Sequence, residues 1–245
     1  MKATEFKIAT RSDAAKFDRL LNQYRLEQHI HEWSFISLEE TFIALEEHQK
    51  PAHFFSAFFD VCLQDVALQR DLKIIQDETN REYSGGDTNI EGVFSPRMER
   101  YIAASNAALR LRAMWDKVMG LKILLYCPDK YQNFLEGNSR LKTFKKIVRA
   151  RKMKPEDKQN ELIINKWNEK LERSIDQLEK IVREIDNNFR TAEAHMVGRI
   201  GKWAFVKQED EDDPFEKLLL ANADIYEHLR GISSVLRLRL YTGRK

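Results

Sequence analysis

Apolar residues recur at helical spacing along most of the chain. Phe17, Leu20, Leu21, Tyr24 and Leu26 predict a first helix to about His31, with Ser12 or Asp13 as its cap. Ser37-Leu38-Glu39-Glu40 has the form of a capping box and predicts a short helix ending near His48. Pro51 suits a helix first turn, and Phe54, Phe55, Phe58, Phe59, Cys62, Leu63 and Val66 follow as a stripe that belongs in a core. Residues 84–95, SGGDTNIEGVFS, read as a loop, with Pro96 starting a fourth helix that reaches about Tyr126. Its stripe includes Tyr101, Ala104, Ala108, Leu111, Met114, Trp115, Val118, Leu121 and Leu125, and Pro128 ends it. Leu171, Ile175, Leu178, Val182, Ile185, Phe189, Ala192 and Met196 then alternate gaps of four and three, the seven-residue seam of antiparallel bundles and coiled coils. Asp186-Asn187-Asn188 can interrupt this helix and cap a new segment, since these residues favour caps over helix interiors. Residues 208–214 form an acidic loop, and a last helix runs from Pro214 to about Tyr241. The expectation is an all-α bundle of about six or seven helices in a single domain.

Composition narrows the function classes. A hydrophobic share of 42% suffices for a core, and 9 Gly with 5 Pro are too few for the many turns of a β-sandwich or barrel. The net charge of +2 argues against a strongly basic nucleic-acid protein in bulk and leaves room for a local patch. Cys62 and Cys127 lie in or beside apolar runs with no CxxC spacing, so they read as buried hydrophobes rather than metal ligands. The N-terminal segment has no apolar stretch of the signal-peptide kind, and no run is long enough to span a bilayer. A cytoplasmic protein without membrane contact is the simplest expectation.

Three groups of residues carry candidate chemistry. His29, His31, His48 and His53, with Glu32, Glu46 and Glu47, invite a metal reading. No histidine has a glutamate three positions before it, however, so the Glu-x-x-His ligand pattern of di-iron bundles is absent, and no metal or other cofactor is expected. A basic cluster at Lys142, Lys145, Lys146, Arg149, Arg151, Lys152 and Lys154 can bind nucleic-acid phosphates or form a solvated helix end; Lys145, Lys146, Arg149, Arg151 and Lys152 are its main nucleic-acid candidates. The third group is Arg190 and His195, five positions apart. A histidine can move a proton at the 2′-hydroxyl or the leaving 5′-oxygen of an RNA phosphodiester. An arginine can grip the phosphate and stabilise the charge of the transition state. Glu193 can pair with Arg190 or orient the histidine. On one straight helix, five residues separate the two side chains by about 140°. They meet only across a two-fold dimer, or where Asn188 caps a new helix start.

The run Asp186-Asn187-Asn188-Phe189-Arg190-Thr191-Ala192-Glu193-Ala194-His195 resembles the R-x(4–6)-H motif of the HEPN-domain superfamily. A second segment, Ala108 to Lys117, resembles the helix of bacterial HEPN subgroups that turns a polar residue to the site. The likeness spans about residues 50–205, with N- and C-terminal helices packed on that core. Thr191 stands where the family often has a polar residue such as asparagine, and threonine keeps the capacity to hydrogen-bond. The resemblance implies a helical-bundle homodimer acting on RNA as a metal-independent endoribonuclease. In it His195 is the general acid/base and Arg190 the phosphate ligand, while Glu193 and Asp116 assist. It also implies an antitoxin or nucleotidyltransferase partner. A non-catalytic helical interaction or dimerisation module is the alternative, because some HEPN domains have lost catalysis.

Overall fold

Two long apolar stripes set the architecture, since each must be covered along its whole length. In the computed structural model, residues 10–12, 15, 16, 19, 38–45, 47–84, 90–151, 161–187 and 214–242 are described. They are helical or in short turns, with no strand among them. The helices are α1 (Leu38–Ala44), α2 (Pro51–Ser84), α3 (Ile90–Tyr126), α4 (Tyr131–Glu136), α5 (Arg140–Arg149), α6 (Glu161–Ile185) and α7 (Pro214–Thr242). Single 3-10 turns, Glu47–Gln49 and Pro128–Lys130, precede α2 and α4. No helix among the described residues is long and apolar enough to cross a membrane.

α2 and α3 form a long antiparallel hairpin that is the spine of the molecule. Its register is read from polar pairs: Gln49 Nε2 donates to the Leu125 carbonyl at 2.8 Å, Lys117 Nζ to Asp60 at 2.6 Å and Arg110 Nε to Asp71 at 2.7 Å. Numbers rise on one helix as they fall on the other. Between them lie Phe54, Phe55, Phe58, Val61, Leu68, Leu72 and Ile75 from α2, with Ala104, Ala108, Leu111, Met114, Trp115, Val118 and Leu121 from α3, all buried.

α7 closes one side of the hairpin and runs parallel to α3. Arg239 Nη1 donates to Gln49 Oε1 at 2.6 Å near one end, and the Tyr226 hydroxyl donates to Asp65 Oδ1 at 2.7 Å further along. The cost of burying Asp65 is reduced because its Oδ1 also accepts from Gln69 Nε2 at 3.3 Å. α5 and α6 cover another side through Phe144, Ile147, Leu178, Val182 and Ile185. Ser139 caps α5 by accepting from the Lys142 amide. α4 packs over α3 at Gly120, where the Phe134 and Tyr131 rings lie within van der Waals reach of the backbone.

Most of the expected elements are present, with three shifts. The short helix behind the capping box stops at Ala44, because Leu45 leaves the helix before the 3-10 turn. The expected loop over 84–95 narrows, since α3 starts at Ile90 and holds Pro96 inside it. Pro96 is the seventh residue of α3, so it forfeits the backbone bond to the Gly92 carbonyl, and the tertiary packing of the long helix carries the chain through that local cost. The mixed stretch after Pro128 resolves into α4 and α5, too short to show a strong periodic signal. The seam of α6 buries Ile175, Leu178, Val182 and Ile185 as the spacing implies, while Phe189, Ala192 and Met196 lie outside the described residues.

Candidate functional site

Arg112 ties two distant parts of the chain together. It lies on α3 with its side chain 12% exposed. Its Nη1 donates to Asp116 Oδ1 one turn along at 2.5 Å, and its Nε donates to Asp186 Oδ1 at 2.9 Å. The planar guanidinium suits this task, since its fork can serve two carboxylates at once. Burial works against the Arg112 charge, but the hydrogen bonds and negative charges of Asp116 and Asp186 outweigh it and raise its pKa above the usual arginine value. Both carboxylates keep about a third of their side-chain surface open, 34% for Asp116 and 29% for Asp186. The backbone at Asp186 and Asn187 winds into a π-turn at the end of α6. Such turns are rare and recur at functional sites.

Asp186 is also the first residue of the run that carries Arg190, Glu193 and His195. Those three residues lie outside the described residues, so Asp116 is the one candidate catalytic side chain with described contacts. It stands beside the beginning of that run, joined to it through Arg112.

The basic cluster is divided. Lys145 pairs with Glu179 of α6, and both side chains are largely covered. The hydrogen bond from Lys145 is the main reason Glu179 titrates below the usual carboxylate value. Arg149 grips Glu172 through Nε and Nη2 at 3.1–3.2 Å. These two cations join α5 to α6, which leaves Lys142, Lys146 and Arg151 exposed toward solvent. Lys152 and Lys154 lie outside the described residues. The sequence pattern did not separate the two sets, because their acidic partners lie more than twenty residues away.

A cavity of about 980 Å³ opens between α3, α5, α6 and α7. Inside it Lys122 Nζ lies 2.6 Å from His228 Nδ1. An ammonium can only donate, so Nδ1 accepts and the imidazole proton sits on Nε2. The other side of His228 meets the Trp115 ring edge-on, with centroids 5.1 Å apart. Burial, with Lys122 adding to it, pushes the histidine down to about 3, so the imidazole is neutral. Burial lowers Lys122 from 10.5 to about 8. Among the described residues no carboxylate charge offsets the burial of Lys122. Neither residue stood out in the sequence: Lys122 looks like the polar edge of α3, and His228 lacks any ligand spacing. The signal that does exist is a lone lysine inside the run Val118-Met119-Gly120-Leu121-Lys122-Ile123-Leu124-Leu125. His48 and His53 are both exposed, and His53 lies edge-on to Tyr131. Among the described residues no group of three or more His, Cys, Asp or Glu side chains is placed to hold a metal ion.

The lowered lysine has a measurable consequence. Between about pH 8 and 10.5 the unfolded chain binds more protons at Lys122 than the folded chain does. The contribution of this site to stability therefore rises across that window, and below it the buried charge opposes folding. Lys122→Met is expected to be more stable than the native chain at about pH 7.5, with the advantage shrinking toward pH 10.5. Working above about pH 7 keeps His228 neutral in both folded and unfolded states. Thermal melts of the two chains at the two pH values check this, and an advantage that grows with pH contradicts it.

No family model matches this chain, and no match is found among curated proteins or solved structures.

Proposed function

We propose that the chain is a HEPN-like protein that cleaves RNA without a metal, at a site completed across a homodimer. The observation that carries this reading is the Arg112 bridge: it draws the Ala108–Lys117 segment and the start of the Asp186–His195 run to one place. Those are the two segments in which the resemblance resides, and they are 74 residues apart between Arg112 and Asp186.

In this reading His195 takes the proton of the RNA 2′-hydroxyl, and the freed oxygen attacks the adjacent phosphorus. The bond to the 5′-oxygen breaks, and a protonated histidine of the two-fold site returns a proton to that oxygen. Arg190 holds the non-bridging oxygens as charge builds on them. Glu193 holds Arg190 or orients His195, and Asp116 adds a fixed negative charge at the edge of the site. The two-fold arrangement answers the separation of Arg190 and His195 around a single helix.

This chemistry marks its products. Cleavage of a single-stranded RNA in excess chelator should leave a 2′,3′-cyclic phosphate on one fragment and a free 5′-hydroxyl on the other. Mass spectrometry of the fragments reads both ends. Fragments ending in 3′-hydroxyl and 5′-phosphate, or cleavage that stops when metal is removed, would rule out the reading. Dimerisation without any cleavage would favour the non-catalytic interaction module.

A further inference from the structure

We infer that the cavity between α3, α5, α6 and α7 is a binding site for a small amphiphilic monoanion, a carboxylate with an apolar body, whose head pairs with Lys122. The inference is independent of the RNA-cleavage reading: Lys122 is ten residues, or about 15 Å, from Arg112 along α3. The volume of about 980 Å³ is in the range of ligand pockets rather than of packing defects.

Three features of the lining select the ligand. The first is an ammonium with no acidic partner among the described residues. Lys122 donates to a neutral imidazole, which satisfies one proton but does not balance the charge. A buried cation without a counter-charge is costly, so a ligand that supplies the charge gains what the protein lacks. Burial depresses its pKa, with no neighbouring carboxylate among the described residues to offset it. The second feature is the wall. Ile123, Phe144, Ile175, Leu178, Ile181 and Ile232 present an aliphatic and aromatic surface from four different helices. Such a wall gives nothing to a fully polar ligand and favours an acyl or aryl body. The third is the charge of the rim. Asp224 and Glu227 share the lining with Arg151 and Lys180, so the rim carries both signs, and Asp224 is raised above its usual value by burial and by Glu227. With Lys122 the lining holds three cations against two carboxylates, a surplus that a single negative charge balances. Neutral His228 orients the lysine by accepting from it, and Trp115 fixes the imidazole from behind.

Decanoate and its uncharged analogue decanol separate the charge from the apolar body. Isothermal calorimetry on the full chain at about pH 7 should show saturable binding of decanoate at one site per chain. Lys122→Met keeps the shape of the wall and removes the amine. It should weaken decanoate by about tenfold or more, as expected when one partner of a buried charge pair is removed. Decanol binding should stay within about twofold, which also shows that the variant is folded. Ile175→Trp fills the cavity from the α6 side and should abolish binding of both ligands. It also carries the test by itself if Lys122→Met fails to fold. The inference is overturned if the native chain does not bind decanoate, if Lys122→Met binds it as tightly as the native chain, or if both ligands still bind to Ile175→Trp.

Discussion

Trp115→Ala should lower the stability of the protein by about 3–5 kcal/mol, the range for truncating a fully buried large aromatic residue. Trp115 has no exposed surface and sits on the spine helix where α3 meets α7. Its ring touches His228, which carries the Lys122 contact, so alanine also removes the packing that holds this imidazole. In a chain of this size that loss corresponds to a fall in melting temperature of about 6–20 °C. The indole Nε1 is buried without a hydrogen-bond partner among the described residues. Trp115→Phe should therefore cost far less than alanine, because it keeps most of the apolar area and removes an unpaired donor. Circular dichroism melts of the three proteins measure the series. A Trp115→Ala protein within about 1 kcal/mol of the native one would mean that this residue does not anchor the core.

Much of the helical framework was legible because it depends on periodicity. The stripe from Phe54 to Val66 and that from Tyr101 to Leu125 each repeat over several turns, and repeated spacing averages out single-residue exceptions. Pro51 and Pro128 punctuated the chain as expected, since each stands where a helix begins or has ended. Pro96 misled because a proline is favoured at the first helical position, whereas here the helix begins six residues earlier and carries the proline inside it. Those residues, Ile90 to Ser95, include glycine, serine and β-branched side chains with little helix preference of their own.

The site was legible only in part, and for a different reason. Arg112, Asp116 and Asp186 come from two helices 70 and 74 residues apart in sequence, and spacing along one helix cannot report that meeting. The same limit hid the pairing of Lys145 and Arg149 with α6, which turns two basic residues into helix–helix fasteners. The Lys122 and His228 pair was hidden because the chemistry lies in burial and in the missing counter-charge, and neither has a sequence motif. What the motif Arg190-x4-His195 did supply was a direction to look, toward the end of α6.

The second large effect concerns that motif. In the composite-site reading His195 handles the transferred protons, while Arg190 and Asp116 act on charge and position. Removing the imidazole therefore removes general acid–base catalysis, worth about 10²–10⁴ in rate. The measurement is the cleavage rate of a single-stranded RNA by the native chain and by His195→Ala, side by side in excess chelator, with a melt of each protein. The reading predicts cleavage by the native dimer, a loss of at least about 10² in the variant, and matching melts. Equal rates for the two proteins, or no cleavage by a folded, dimeric native chain, would contradict it.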